Sequence, residues 1–493
     1  MMFKVKKIDM ETDGHSIVYL RYEDARKFNI NVGDRVQLSF NKKNLVGVVN
    51  LCKSAVEISE VGVSKELWDE GIAEKVKILL LAKPKSVGYI RKRLLGTPLK
   101  RHEIREIIFD LMENKLSSVE AAYFVASAYV QRLSFDEEES LTRAMVDAGK
   151  TISFSKSPVV DKHCIGGVPG NRTTPIVVPI IAAAGYLFPK TSSRAITSPA
   201  GTADVMEVLC NIEFSAKDMK KIVKKIGAAM IWGGSVNLAP VDDILLKLRY
   251  PLRLDPTSFL LASILAKKKS AGSQKVLIDI PLGAKVTNSK TARSLANRFQ
   301  YLGKRLGMEV RVVITDGFQP IGKGVGPSLE ARDIITVLQG KGPKDLREKS
   351  LRLAAEIFDM VGKRNGYAFA KKILDSGKAY QKFKQIIKTQ GGNPNIKPKD
   401  IEIGKYSVNI FSQSATSYLY YDSHIISQLA RLAGAPAIKG AGVELLVLSG
   451  SKVAKGKKIM RVVTPVKDRI ELIEKFLKEN NPLISRNIII ETV

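Results

Sequence analysis

The chain is poor in cysteine, histidine and aromatic residues for its size. Three cysteines among 493 residues are too few and too scattered for a disulfide framework or a cysteine zinc cluster. The four histidines are equally dispersed, which argues against a metal centre. Aromatic residues make up 7% of the chain and are not interleaved with basic ones, as they are on RNA-binding sheets.

Long hydrophobic runs are also missing. The longest apolar stretch, Pro175 to Pro189, is interrupted by Pro179 and Gly185, so it predicts a buried helix and not a membrane span. The first residues, MMFKVKKIDMETDG, contain no apolar core of signal-peptide length. We therefore expect a cytoplasmic protein that does not enter a membrane.

Acidic residues are outnumbered by basic ones, 49 against 79, which gives a net charge of +30. Such an excess is typical of nucleic-acid-binding proteins. The basic residues are spread along the whole chain, however, and runs such as 267–269 are short. We therefore favour a lysine-rich surface that attracts anionic substrates, and nucleic-acid binding is the less favoured hypothesis.

In the first part of the chain the spacing of apolar residues changes from a strand pattern to a helix pattern. Residues 1–84 alternate apolar and polar residues between turn signals, which predicts a β-rich N-terminal domain. Residues 85–155 have helical periodicity, with capping-box signatures at Ser117 and Ser134. They predict a helical domain, to which later helical segments are added.

The second part of the chain combines strand and helix patterns. Residues 156–390 alternate strand-like runs with long helices, which predicts an α/β domain. The segment 391–398, GGNPNIKP, reads as a linker. Residues 399–493 carry short strands around an amphipathic helix, and they predict an α+β C-terminal domain.

Two segments of the predicted α/β domain are suited to anions. The first, 161–171, reads DKHCIGGVPGN; its glycines can adopt positive φ angles, and Lys162 adds a charge. The second, 190–204, reads KTSSRAITSPAGTAD and offers hydroxyls, backbone N–H groups and the guanidinium of Arg194. Because the two flank one predicted buried helix, they indicate a phosphate site.

Each segment also has a structural interpretation. The first fits an ordinary glycine-rich turn, and the second fits a capped helix start. His163 is more often a packed histidine than a proton shuttle. Asp204 and Glu207, three residues apart on the helix predicted to follow, are interpreted as structural.

Taken together, the two segments resemble those of the type II nucleoside phosphorylases. The wording SRAITS, the LDP at 254–256 and the long N-terminal extension look most like the AMP phosphorylase branch, and the resemblance covers nearly the whole chain. It implies a multidomain α/β fold in which a helical domain and a large α/β domain flank a cleft. It also implies a homodimer, or a higher homo-oligomer, formed through the helical domain.

The resemblance further implies an activity. The reaction would be phosphorolysis of AMP, with CMP and UMP as further substrates, to free base and ribose 1,5-bisphosphate. Inorganic phosphate would be the co-substrate, and neither a metal nor another cofactor would be needed.

Individual residues receive roles from the same resemblance. Asp255 would donate a proton to the purine, although on sequence alone an aspartate before Pro256 also reads as a helix N-cap. Lys162, Ser192 and Thr202 would hold the attacking phosphate. The residues implied to bind the nucleotide are Gly167, Ser193, Arg194, Ala195, Ile196, Thr197, Ser198, Thr202, Ser263 and Lys285.

Two features depart from the family pattern, and a third, the spacing of a pair of residues, agrees with it. Cys164 stands where the family usually has a serine that touches phosphate, and a thiol is a weaker donor than a hydroxyl. The loop before Lys285 is shorter than the glycine-rich version of the family. Ser263 and Lys267 lie four residues apart, on one face of the predicted helix, as a pair that contacts a base would. We interpret a further glycine-rich loop, 322–327, as structural or as closing over the cleft.

Three other functions remain open. A thymidine or pyrimidine-nucleoside phosphorylase would share both loops but not the N-terminal extension, SRAITS or LDP. A phosphoribosyltransferase would share the architecture but would need a divalent metal and diphosphate. A nucleic-acid-binding protein would use the β-rich N-terminal domain and show salt-dependent retention on nucleic acid.

Overall fold

The computed structural model describes residues 2–484, except 13–14, 156–157, 196–197, 250–253, 255, 284–285, 287 and 416–417. The chain divides into two compact units. The first comprises Met1–Gly149 and Ala239–Ala266, and the second comprises Lys150–Leu238 and Lys267–Val493. This division is coarser than the four predicted domains, whose boundaries stay predictions. Among the described residues, no helix is both long and apolar enough to cross a membrane.

The chain begins with a small β-rich body. Its elements are β1 (Met2–Lys7), β2 (Ile17–Arg21), α1 (Tyr22–Lys27), β3 (Arg35–Phe40), β4 (Lys43–Cys52), β5 (Glu60–Val63), α2 (Lys65–Asp69) and β6 (Lys75–Leu81). The six strands close into a barrel in the order β1-β5-β2-β4-β3-β6. Alternate residues such as Val18 and Leu20 are fully buried inside it, as the period-two pattern predicts.

Four helices follow in the same unit: α3 (Lys85–Leu94), α4 (Arg101–Met112), α5 (Ser118–Val130) and α6 (Phe135–Asp147). Ser117 and Ser134 form the predicted capping boxes with Glu120 and Glu137. Because each box satisfies N–H groups at a helix start, the sequence marks these two starts correctly.

Strands and helices then alternate. The elements are β7 (Val160–Cys164), α7 (Thr174–Ala183), β8 (Phe188–Ser192), α8 (Thr202–Glu207), α9 (Ala216–Ile226), β9 (Ala228–Trp232), α10 (Gly233–Val236), α11 (Pro240–Arg249), α12 (Thr257–Ser270), β10 (Lys275–Leu282), α13 (Ser289–Arg305) and β11 (Glu309–Asp316). Leu245 of α11 and Phe259 of α12 share a hydrophobic core with α3 to α6. The helix α7 is buried, as its apolar sequence predicts.

The strands β7 to β11 of the second unit pair in parallel. β7, β10 and β11 form one sheet in the order β11-β10-β7, and β8 pairs with β9. A parallel bridge between Val159 and Leu187 links the two sheets. The carboxyl ends of these strands therefore point to one common edge, which is where ligands bind in open α/β sheets.

The rest of the chain completes the second unit. Its elements are β12 (Gly324–Val325), α14 (Pro327–Leu338), α15 (Lys344–Met360), α16 (Gly366–Asp375), α17 (Lys378–Thr389), a 3-10 turn (Pro398–Asp400), β13 (Tyr406–Phe411), α18 (Ser423–Ala433), β14 (Gly442–Leu445), β15 (Lys458–Thr464) and α19 (Arg469–Glu479). The strand β12 joins the C-terminal sheet, whose order is β12-β14-β15-β13. The glycine-rich loop at 322–327 therefore has a structural role, because it contains the strand β12. The elements as a whole confirm the predicted multidomain α/β fold class.

Candidate functional site

Both predicted anion loops lie at the carboxyl edge of the parallel strands. Residues 165–171 follow β7, and residues 193–201 follow β8. The helix α7 begins where the first loop ends, so its first turn directs N–H groups to this edge. The loops that the sequence singles out are thus brought to the same side of the sheet.

The glycines of the first loop adopt the predicted conformation. Gly166, Gly167 and Gly170 have φ angles of 89°, 98° and 70°, a region that favours glycine. At Gly170 a Cβ atom would lie 2.1 Å from the carbonyl oxygen of Ile321. Any larger residue would push the loop away from the segment that leads into β12.

Lys162 lies beneath the first loop and not within it. Its side chain is 1% exposed, and Nζ donates a hydrogen bond to Oγ1 of Thr173 at 2.7 Å. Burial lowers the pKa of Lys162, against the opposing effect of nearby Asp279. The predicted cation is therefore held at the start of α7, in the interior.

Asp279 lies between two lysines. Its Oδ2 atom is 3.9 Å from Nζ of Lys162 and 3.8 Å from Nζ of Lys349. Its Oδ1 atom accepts a hydrogen bond from Oγ1 of Thr315 at 2.6 Å. We call Asp279, Lys162 and Lys349 the Asp279 cluster; Lys349, on α15, carries no signal in the sequence that would have marked it.

A second aspartate lies on the other face of the same sheet, because Asp161 and Lys162 are neighbours in a strand. Oδ2 of Asp161 is 2.8 Å from Nζ of Lys268, and Oδ1 is 3.6 Å from Nζ of Lys190. All three side chains are buried. We call them the Asp161 cluster.

His163 and Cys164 end β7 and are half-buried. Burial and the neighbouring lysines hold the pKa of His163 well below 6.5, so the imidazole is neutral at pH 7, which agrees with a packed histidine. Burial also raises the pKa of Cys164, and its sulfur accepts a hydrogen bond from the Asn171 amide at 3.4 Å. Cys164 is therefore a thiol and not a thiolate.

The second loop is closed by Asp204. Its Oδ2 atom accepts hydrogen bonds from the backbone N–H groups of Ala195 at 2.7 Å and Gly201 at 2.8 Å. A Cβ atom on Gly201 would lie 2.6 Å from the carbonyl oxygen of Ser193, so the two ends of the loop are in contact. The structural role predicted for Asp204 is confirmed.

Arg194 is paired with carboxylates. Its guanidinium makes a bidentate contact with Glu207 at 2.6 and 2.7 Å, and Glu213 is 3.3 Å away. The hydrogen bond from Arg194 lowers the pKa of Glu207 to about 2, and the bidentate pair agrees with a structural role for Glu207. An anion at Arg194 would have to share the guanidinium with Glu207 and Glu213.

The hydroxyls of the second loop vary in exposure. Ser192, at the end of β8, is half-buried, and Ser193 is exposed. Ser198 donates a hydrogen bond to the carbonyl oxygen of Ala200 at 3.3 Å. Thr202 is half-buried and is the first residue of α8.

Arg172 joins the two loops and was not identified from the sequence. Its guanidinium donates to the Ala200 carbonyl oxygen at 2.7 Å, to Oγ1 of Thr202 at 3.3 Å and to Oε2 of Glu330 at 2.5 Å. Glu330 is 1% exposed and also accepts from the Gly326 N–H at 3.1 Å. Arg172 therefore ties the start of α7 to the start of α8.

The other predicted site residues are placed only in part. Asp255, Ile196, Thr197 and Lys285 lie outside the described residues. Ser263 lies on α12, in the first unit, and is half-buried. Lys267 is one turn further along the same helix, which confirms that the two share a helix face.

The fold is similar to that of anthranilate phosphoribosyltransferases. The enzyme from Thermus thermophilus is 21% identical, with a TM-score of 0.53, and the match covers 61% of this chain and 98% of that one. A variant of the Saccharomyces cerevisiae enzyme is 14% identical, with a TM-score of 0.50 and coverages of 63% and 98%. At these identities the likeness shows a shared fold and nothing about the reaction.

Comparisons of the sequence identify the family of the chain. Residues 87–149 match the helical bundle domain of the glycosyl transferase family, and residues 156–251 match its a/b domain. The AMP phosphorylases of Thermococcus kodakarensis and Pyrococcus furiosus are each 42% identical over 100% of this chain and 99% of theirs. AMP phosphorylase 1 of Archaeoglobus fulgidus is 40% identical over the same shares. With this identity along its full length, the chain belongs to the AMP phosphorylase family.

Proposed function

We propose that the protein catalyses the phosphorolysis of AMP, and also of CMP and UMP, to free base and ribose 1,5-bisphosphate. The observation that carries this proposal is the full-length similarity to proteins named AMP phosphorylase, at 42% identity. The site supports it, because two anion-suited loops meet at the carboxyl edge of the sheet. The pyrimidine-nucleoside alternative has no comparable support.

The reaction exchanges one bond at the anomeric carbon for another. An oxygen of inorganic phosphate forms a bond to C1′ while the bond from C1′ to the base nitrogen breaks, through a transition state with oxocarbenium character. The base leaves more readily when an acid protonates it as the bond breaks. Asp255 is the proposed acid; a closed site that raises its pKa towards neutrality would suit that role.

The proposed site residues divide between the phosphate and the nucleotide. Lys162, Ser192 and Thr202 are proposed to hold the attacking phosphate. The loop 193–198 and Gly167 are proposed to hold the nucleotide, together with Ser263 and Lys285. Arg172 positions Thr202, because it donates to the Thr202 hydroxyl while its own orientation is fixed by buried Glu330.

The proposal includes a cytoplasmic location, no metal or other cofactor, and a homodimer formed through the helical part of the first unit. Support for the dimer comes from α5, where Val119, Tyr123, Tyr129 and Val130 are 65%, 54%, 55% and 80% exposed. A patch of exposed apolar side chains on one helix is typical of an interface. Light scattering should give at least twice the chain mass of 54.2 kDa; the monomer mass would contradict the dimer.

The function is tested by measuring phosphate-dependent release of base from AMP, CMP, UMP, adenosine and thymidine side by side, without added metal. Release from the nucleotides alone is expected, because the 5′-phosphate is then part of what the site binds. Release from thymidine alone would favour a nucleoside phosphorylase. Base transfer that requires diphosphate and a divalent metal would favour a phosphoribosyltransferase.

A further inference from the structure

Lys349 is a buried cation without a hydrogen bond. It lies on α15, its side chain is 12% exposed, and among the residues that the structure describes its Nζ atom has no hydrogen-bond partner. The carboxylate oxygen paired with it, Oδ2 of Asp279, is 3.8 Å away. A buried ammonium group in this state is costly unless something else binds it.

The Asp279 cluster has more positive than negative charge. Lys162 and Lys349 share Oδ2 of Asp279, while Oδ1 is occupied by the hydroxyl of Thr315. One carboxylate therefore serves two ammonium groups. Because unbalanced charge in a poorly solvated site attracts an ion of opposite sign, the cluster favours an additional anion.

The position of the cluster gives that anion a site. Asp279 is the register partner of Cys164, the last residue of β7. The Nζ atom of Lys162 also donates to Thr173, the residue that precedes α7. The cluster therefore lies where the first loop, the end of β7 and the start of a ten-residue helix meet, and such a helix start adds its own preference for anions.

We propose that Lys349 is a phosphate-binding residue, which together with Lys162 holds the phosphate that attacks C1′. This inference rests on the proposed function and adds a residue from α15 to the site. Both Nζ atoms lie within 3.9 Å of one oxygen of Asp279, so the two ammonium groups share one carboxylate.

The test compares Lys349→Met with wild type, with Lys344→Met as the matched control, since Lys344 is an exposed lysine on the same helix. The KM for phosphate should rise about tenfold or more in Lys349→Met, the loss expected for a charged hydrogen bond. The KM for AMP should change by less than about twofold, because the contact is not with the nucleotide. A KM for phosphate within about twofold of wild type would overturn the proposal.

A stability measurement separates binding from a purely structural role. Without phosphate, Lys349→Met should melt no lower than wild type, because the variant leaves one lysine for one aspartate. At one concentration, inorganic phosphate should raise the Tm of wild type and of Lys344→Met by more than that of Lys349→Met, because weaker binding gives a smaller shift. If Lys349→Met melts lower and phosphate raises its Tm as much as that of wild type, Lys349 is structural and the proposal is wrong.

Lys349→Arg keeps the positive charge, so its KM for phosphate should lie between those of wild type and Lys349→Met. A KM for phosphate as high as that of Lys349→Met would count against a charge contact.

Failure of the proposed function and failure of the present inference give different results. If wild type releases no base but phosphate raises its Tm through Lys349, the proposed function fails and the phosphate site stands. If wild type is active and Lys349→Met keeps its KM for phosphate, only the present inference fails.

Discussion

Asp161 and Asp279 are buried aspartates on neighbouring strands, each flanked by two lysines, yet their surroundings differ. In the Asp161 cluster the lysines approach different carboxylate oxygens, and Lys268 comes to 2.8 Å. In the Asp279 cluster both lysines stay at 3.8 to 3.9 Å from one oxygen. The first cluster has a direct ion pair inside the fold, whereas in the second neither lysine comes within hydrogen-bond distance of the carboxylate.

Position along the strands accounts for the difference. Asp161 is the second residue of β7, whereas Asp279 is opposite the last residue of that strand. Buried charges away from the carboxyl edge have only protein groups to bind, so protein groups must balance them. Charges at the carboxyl edge can be balanced by a ligand. Similar residues can thus serve stability in one place and binding in another.

The largest expected effect is on stability. Asp161→Asn leaves Lys190 and Lys268 buried without their carboxylate and should lower the free energy of unfolding by about 3–5 kcal/mol. Denaturant unfolding at neutral pH measures it. Asp279→Asn is the matched variant: inorganic phosphate should raise its Tm by more than it raises that of wild type, whereas the rise in Asp161→Asn should equal that of wild type, because its phosphate site is intact. Equal rescue of both variants by phosphate would remove the distinction between the clusters.

An intermediate effect is expected at Arg172, which links the loops beside the Asp279 cluster. Arg172→Lys keeps the charge but loses the fork that reaches Ala200, Thr202 and Glu330 together. The value of kcat/KM for phosphate should fall about tenfold, since a charged contact to Thr202 is lost. Arg352→Lys, at a side chain that is 74% exposed, serves as the control and should keep wild-type kinetics. Unchanged kinetics in Arg172→Lys would show that Thr202 needs no positioning.

The smallest expected effect concerns Glu207, whose pKa falls from 4.5 to about 2 through its hydrogen bond with Arg194. A lowered pKa in the folded state stabilises the protein above pH 4.5, and that stability is lost as the pH falls towards about 2. The difference in Tm between wild type and Glu207→Gln should therefore shrink over this range. Because about a third of the side chain is exposed, the difference is small at any pH. A difference in Tm that does not change with pH would mean that the pKa of Glu207 is not lowered by Arg194.

Local features of the site could be read from the sequence. The positive φ angles of Gly166, Gly167 and Gly170, the capping boxes and the buried helix α7 depend on residues close together in the chain. Each of these features involves partners within about one helical turn or one loop.

Partners distant in the sequence could not be predicted. Arg172 binds Glu330, 158 residues away, and Lys349 is one basic residue among 79 on an ordinary amphipathic helix. Lys162 was expected in the loop and lies beneath it, because strand alternation directs its side chain to the interior. Arg194 stays a predicted anion contact, and its ion pair with Glu207, thirteen residues further along the chain, was not predicted.

The most direct test of the account is to identify the sugar product formed from AMP and inorganic phosphate by phosphorus NMR. The account predicts ribose 1,5-bisphosphate, formed in equal amounts with adenine and with an equal loss of inorganic phosphate. Ribose 5-phosphate formed with no loss of phosphate would show that water attacks C1′, and it would contradict the account.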